Sequence, residues 1–283
     1  MWKRRIKFLL ARESLKSLAS HFFAALGALW LLFELYRLFW GDVQGNSRKV
    51  LFVFFILGSL AWALRQAFPP LHYSKRSRAP VEIEIKVGDL FAEPGNIAVG
   101  CNDCFDTDYP QVIGRNSLIA QLSERLFTGR RAELDERIEQ ALAGQGAPDE
   151  AKLFGKNRRY QTGTVAVVEQ GGRKLFLSAF SRLQPDRTST ITKEDLLASL
   201  SNLWAAVRQH GKNDEPLALP VWGSGLAGFH ASRISLIQLL LLFFVIATRE
   251  RIVTRKLTLV IYEGDYDPKE FNEAIQLIDT LDF

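Results

Sequence analysis

With 283 residues and 47% hydrophobic content, the chain has room for one domain of ordinary size plus an appendage, and enough apolar residues for a core. A formal net charge of +5 would normally point to nucleic acid, but residues 1–80 hold 13 Lys/Arg against 3 Asp/Glu, while the remainder holds 23 against 28. The basic excess flanks apolar segments, where it attracts anionic headgroups; the rest is mildly acidic, and nucleic acid is excluded as an expected partner.

Two apolar stretches come first, Phe22 to Trp40 (FFAALGALWLLFELYRLFW) and Val50 to Phe68 (VLFVFFILGSLAWALRQAF). Each is close to the ~20 residues that cross a bilayer core as a helix. The polar turn between them, GDVQGNSRK, predicts an antiparallel hairpin of two transmembrane helices. The basic stretch from Lys3 to Lys16 is long, no small-residue cleavage site follows the first span, and a second span comes at once, so a cleaved signal peptide is disfavoured. Basic residues before the first span and after the second (Lys75, Arg76, Arg78) outweigh Arg48 and Lys49 of the turn, which predicts both termini on the cytoplasmic side. Within the first span Glu34 and Arg37 stand at i,i+3. They either pair along one helical face, as a polar contact between helices would use, or snorkel separately to the interface.

A linker is expected from Pro69-Pro70 to Pro80, and a second domain from Val81, where VEIEIKV alternates as a half-buried strand does. Further strands are read at Ile97 to Val99, Thr164 to Val168, Lys174 to Ala179, Pro216 to Val221 and Lys256 to Tyr262. Helices are read at Ser117 to Phe127, Ala132 to Ala143, Lys193 to His210, Ser232 to Thr248 and Pro268 to Leu281. Strands alternating with helices predict an α/β sandwich. The run LIQLLLLFFVIA, Leu236 to Ala247, is too short to span a membrane; it reads as a helix buried on nearly all sides, the alternative being an apolar face for an oligomer or lipid. Cys101 and Cys104 form a lone C-x-x-C with no clustered histidine, so no metal site is expected and two reduced thiols are the preferred reading.

The segment LALPVWGSGLAGFHASR places a strand before Gly223, Ser224, Gly225, Leu226, Ala227, Gly228 and Phe229, with a helix following. Glycines let backbone approach a diphosphate, successive N–H groups form an anion nest, and the helix N-terminus adds partial positive charge. An ordinary glycine-rich turn is the alternative, and a Rossmann unit is disfavoured because no complete dinucleotide fold can follow so late in the chain.

Taken in order, IEIKVGDLF, IAVGCNDCFDTD, PVWGSGLAGF and LTLVIYEGDY resemble the motifs of macro domains, which bind ADP-ribose and its derivatives, over about residues 81 to 283. With a two-span anchor in front and the details FDTD and IGRNSLIAQLSERLF, the chain further resembles the membrane-anchored macro effectors of Thoeris-type antiphage systems. The resemblance implies a three-layer α/β/α sandwich with a mixed sheet. It implies that Asp89 accepts from the adenine amino group, that the Leu90 N–H meets a ring nitrogen, and that Asn102 contacts the distal ribose. It also implies that Phe105, Asp106 and Thr107, in the loop from Cys104 to Asp108, border the phosphates together with Gly223 to Phe229, and that Tyr262 packs on adenine. The bland alternatives are that Asp89 caps a turn, Asn102 satisfies loop backbone, and Tyr262 is core.

De-ADP-ribosylating macro domains carry an N-A-A-N stretch followed by glycines; here Val99 stands at the first asparagine and Phe105-Asp106-Thr107 replaces the glycines. A binder without catalytic residues or cofactor is therefore expected. Asp106 is the one candidate general base, or else a ribose-contacting acid selecting a conjugate of ADP-ribose. By resemblance, the chain is expected in the bacterial inner membrane as a multi-pass effector. A TIR-type, NAD-consuming partner would make its signal, and assembly into a homo-oligomer would disrupt the lipid bilayer in abortive infection. A membrane-anchored ADP-ribosyl hydrolase and a nucleotide-free scaffold are the competing readings.

Overall fold

The structure is a computed structural model that describes residues 12–41, 45–76, 80–222 and 231–281. The chain divides into two compact units that part at Pro70, with Asp267–Asn272 grouped with the first.

In the first unit, α1 (Arg12–Trp40) and α2 (Asn46–Ala67) form a helical hairpin. Both are long and apolar enough to cross a membrane. Rings interlock between them, Trp30 with Phe52 at 6.5 Å and Phe33 with Phe55 at 5.9 Å, both edge-on. Most of the remaining apolar surface faces outward: Phe23, Leu38, Phe39 and Phe54 are each about 70% exposed. Arg37 Nη1 donates to both carboxylate oxygens of Glu34 at 3.1 Å, so the two charges neutralise one another along the helix face.

The second unit is a mixed sheet covered on both faces. Its elements are β1 (His72–Arg76), β2 (Glu82–Val87), β3 (Asn96–Asn102), α3 (Leu118–Leu126), α4 (Arg131–Ala141), β4 (Ala147–Pro148), β5 (Arg158–Arg159), β6 (Val165–Gln170), β7 (Arg173–Leu183), β8 (Ser189–Thr190), α5 (Lys193–His210), β9 (Leu217–Pro220), α6 (Arg233–Glu250), β10 (Lys256–Ile261) and α7 (Pro268–Thr280). The strand order is β1-β2-β10-β9-β3-β7-β6, with β8 against β7 and β4 pairing β5 separately. The five central strands run parallel; β1 and β6 are antiparallel edges. On one face Leu122, Phe127, Leu134 and Ile138 join Ile97, Val99, Ala166, Val168, Leu175 and Leu177 in one core. Elsewhere Trp204 of α5 meets Phe244 of α6 edge-on at 5.3 Å. The Thr192 and Asp195 capping box starts α5 at the residue its S/T-x-x-D/E pattern predicts.

The linker expected up to Pro80 is shorter than the composition implies: residues 72–76 are an edge strand in register with β2, His72 opposite Lys86 and Arg76 opposite Glu82. A polar run such as HYSKR reads as linker because an edge strand exposes one side and needs no apolar alternation. The apolar run of α6 buries Leu236, Ile237, Leu240, Leu241, Phe244 and Val245 but leaves Leu242 and Ile246 about half exposed, so one stripe escapes the core.

One polar cluster sits beneath the sheet edge. Glu84 is buried, its Oε2 accepting from Lys256 Nζ at 2.9 Å and Thr258 Oγ1 at 2.8 Å, while Oε1 lies 2.6 Å from His72 Nε2. Burial alone would raise the carboxyl, but hydrogen bonds from Lys256, Thr258 and His72 more than offset it and bring the pKa down from 4.5 to about 2. A depressed folded pKa contributes stability that is present above pH 4.5 and lost as pH falls through 2. The urea midpoint of the native protein is therefore expected to drop across that window, and Glu84→Gln to start lower at pH 7 and flatten the drop. An equal acid slope in the variant would show that Glu84 is not the titrating group.

Candidate functional site

In a parallel sheet the segments leaving the carboxyl ends of the strands share one edge, and a crevice opens where strand order reverses. Here β2, β3, β7, β9 and β10 all deliver their following segments to that edge, and β3 and β9 are neighbours although far apart in sequence. The β3–β9 ladder pairs only Asn96 with Leu217 and Ile97 with Ala218. Pro220, with no N–H, cannot extend it, and beyond this point the two strands carry the predicted phosphate loops.

After β2, Asp89 caps the short 3-10 turn Leu90–Ala92. Its Oδ1 accepts from the Phe91 N–H at 3.1 Å and from Arg125 Nη1 at 2.6 Å, while Oδ2 accepts no hydrogen bond among the described residues. The Arg125 hydrogen bond holds the carboxyl below its usual range, and the guanidinium also lies 5.4 Å from the Phe91 ring centre. Asp89 thus does cap a turn, yet stays half-exposed and ionised with one oxygen left to accept. The Leu90 side chain is buried beside it.

After β3, the register shifts between Cys101 and Asn102 and the chain folds over the Asn102 side chain. Asn102 Oδ1 accepts from the N–H groups of Cys104 at 3.0 Å and Asp106 at 3.1 Å; its Nδ2 donates no hydrogen bond among the described residues. Phe105 adopts a left-handed φ of 50° and turns its ring into the core, edge-on to Tyr160 at 5.3 Å. With its ring in the core, only the backbone of Phe105 is left to border a ligand.

Asp106 and Thr107 are buried as well, and they face a segment that sequence reasoning left unassigned. Asp106 Oδ2 pairs with Lys152 Nζ at 2.8 Å and its Oδ1 accepts from the Lys156 N–H at 2.7 Å. Gly155, at φ +69°, passes so close that an added Cβ would lie 2.1 Å from that Oδ1. Thr107 Oγ1 donates to Asp135 at 2.6 Å, and Asp135 also pairs with Lys156 Nζ at 2.6 Å. Three residues before Asp106, buried Asp103 pairs with Arg159, which also bonds Asp149 at 2.8 Å, and Asp103 Oδ1 accepts from the Leu183 N–H at 3.0 Å. The carboxylates of this loop therefore clamp it to residues 149–159. Asp106 is not placed to take a proton from water as a general base. The basic run AKLFGKNRRY was the available signal, but it reads equally as a solvated charge run.

The two thiols share that interior. Burial pushes Cys101 up to about 12, and burial with Asp103 nearby pushes Cys104 up to about 11. Neutral thiols make poor ligands and nucleophiles. Iodoacetamide at pH 8 is expected to label neither in the folded protein and both in urea, by intact mass; rapid labelling of folded protein would contradict this burial.

At the far side, Tyr262 follows β10 and is 69% exposed, which excludes the core reading and leaves an aromatic face on this edge. Gly223, Ser224, Gly225, Leu226, Ala227, Gly228 and Phe229 lie outside the described residues; the strand before them and the Ser232-capped helix after them are as expected. A cleft of about 490 Å³ between α4 and β6 is lined by Glu133, Glu136, Arg137 and Glu169 and includes none of these segments. Its acidic rim would repel a diphosphate.

The comparisons bear on the family and the fold. The pattern of the family described as Thoeris protein ThsA, Macro domain, matches residues 83–262. Among solved structures, the Oceanobacillus iheyensis macrodomain with ADP is 15% identical with a TM-score of 0.50, covering 74% of this chain and 98% of that one. A mutant of the same macrodomain with ADPR is 14% identical at a TM-score of 0.51, covering 74% and 100%. At such identity the likeness shows the fold alone. No curated protein matches the sequence. With a matched segment spanning more than half its length, the chain belongs to the macro-domain family of the Thoeris protein ThsA.

Proposed function

We propose that the chain is a membrane-anchored sensor of an ADP-ribose-derived nucleotide in antiphage defence. A TIR-type partner makes the signal from NAD, the macro domain binds it, and assembly through the hairpin disrupts the bilayer of the bacterial inner membrane. The observation that carries this reading is the shared sheet edge, where ionised Asp89, exposed Tyr262, the Asn102 loop and the chain on either side of the glycine segment converge. The exposed apolar flanks of α1 and α2 support the anchor, since such surface is costly in water and neutral in lipid. Both termini face the cytoplasm in this reading, as the basic flanks predict. The Oceanobacillus macrodomain structures named above are with ADP and with ADPR, and an ADP-ribose-type ligand is assigned here.

Hydrolysis is the second reading. It is weakened by the burial of Asp106 against Lys152, which removes the candidate base, and by Val99, which is fully buried. Turnover of ADP-ribosylated protein by this chain, abolished by Asp106→Ala, would instead support it.

Calorimetric titration of the chain in nanodiscs with ADP-ribose and with amino-acid-conjugated ADP-ribose tests the proposal, alongside Gly225→Glu, whose carboxylate should repel the diphosphate. Binding to the native chain, and at least tenfold weaker binding to the variant, is expected. At ligand a hundredfold above Kd the domain should also gain ~2.7 kcal/mol of stability. No heat and no thermal shift would leave a nucleotide-free membrane scaffold.

A further inference from the structure

The first residue of the second unit is hydrogen-bonded beside the nucleotide edge. Leu71 O accepts from the Val87 N–H at 2.8 Å, and the adjoining Gly88 N–H donates to Ile261 O at 2.9 Å. One backbone relay therefore runs Leu71, Val87-Gly88, Ile261, and its inner positions immediately precede Asp89 and Tyr262, the two groups assigned to adenine. Because β1 is antiparallel to β2, its amino end, the end joined to α2, lies at this same carboxyl edge of the parallel strands.

Strand β1 is also fastened along its length, to β2 and to the end of α7. Lys75 Nζ donates to three carbonyls at the end of α7, those of Ile278, Asp279 and Leu281, at 3.3, 2.8 and 2.7 Å. That is a cation placed at a helix C-terminus, where the dipole favours it. Tyr73 Oη donates to Asp279, His72 meets buried Glu84, and Arg76 pairs with Glu82 at 3.3 Å. Between α2 and β1 the chain has only Phe68-Pro69-Pro70-Leu71, with Phe68 extended at φ −73°, ψ 120°. Two consecutive prolines fix φ and favour an extended, stiff segment, where a Gly/Ser linker would behave as a coil.

We infer that β1 and the diproline segment form a transmission rod: occupancy of the Asp89 and Tyr262 edge is passed through the Leu71–Val87 bond to the carboxyl end of α2. This rests on the nucleotide reading of the edge. Coupling requires that ADP-ribose bind one arrangement of this edge more tightly than another, since a ligand moves an equilibrium only by its differential affinity.

The test uses the full chain in nanodiscs, with a bimane on Leu64→Cys near the end of α2, in the native connection and with a six-residue Gly-Ser insertion between Pro70 and Leu71. Hydrogen exchange of residues 71–76 and 88–92 is followed in both. Saturating ADP-ribose is expected to slow exchange in both segments of both proteins, and to shift bimane emission only in the native connection. Retention of the shift in the insertion protein would overturn the rod, as would slowing at 88–92 with none at 71–76. Loss of slowing at 88–92 in the insertion protein alone would overturn it too, by showing that the site depends on the connection and not the reverse. No response at 88–92 in the native protein would instead overturn the nucleotide reading, and the rod with it.

Discussion

A Lys152→Met variant is expected to melt roughly 10 °C below the native protein, from a loss of ~3–5 kcal/mol at about 3 °C per kcal/mol for a domain of this size. The reason is an uncompensated charge. Both side chains of the Lys152–Asp106 pair are almost wholly buried, with exposures of 6% and 1%. Without the ammonium, the Asp106 carboxylate retains the Lys156 N–H but no other salt-bridge partner among the described residues. The double variant Asp106→Asn with Lys152→Met removes both charges and should recover much of the loss, as buried pairs exchanged for neutral groups often do. A thermal double-mutant cycle reads the coupling directly. A single variant melting within 2 °C of native would mean that water reaches the pair, and the clamp on residues 149–159 would have to be abandoned.

Asn102→Ala is expected to be nearly as damaging, by roughly 2–4 kcal/mol, because it orphans the N–H groups of two buried residues, Cys104 and Asp106. Asn102→Asp separates the residue's two possible duties. A carboxylate still accepts from both N–H groups, so most of the stability should return. It cannot donate as Nδ2 does, and it would repel a diphosphate, so ADP-ribose affinity should fall at least tenfold. If Asn102→Asp folds and binds ADP-ribose as the native chain does, Asn102 serves the loop alone.

What the sequence made legible were the features with local causes. Helix α5 was bounded correctly at Lys193 and His210 because its cap and its apolar spacing are both local, and the core strands stood out by their apolar runs. What stayed hidden depends on partners far along the chain. Asp106 looked like a possible base because Lys152 is 46 residues away. Arg125, which holds Asp89, is 36 residues from it. Nothing local announces that Phe105, a bulky residue, adopts φ 50° and turns its ring inward. The strand β1 reads as linker because its anchors, Ile278 to Leu281, lie at the other end of the sequence.

That last tie has a practical corollary for anyone excising the second unit. A fragment begun at Val81, where the alternating pattern starts, would strip away the outer strand and leave β2 as a bare border. Ile83 and Ile85, fully covered in the intact chain, would then flank an open row of N–H and C=O groups, the kind of template on which foreign strands pile up. It would also strand Glu84 without His72 and deprive the end of α7 of its lysine. Cut at Leu71 instead, the fragment keeps its own gatekeeper, a short strand bearing Lys75 and Arg76, and should remain monodisperse where the shorter one precipitates.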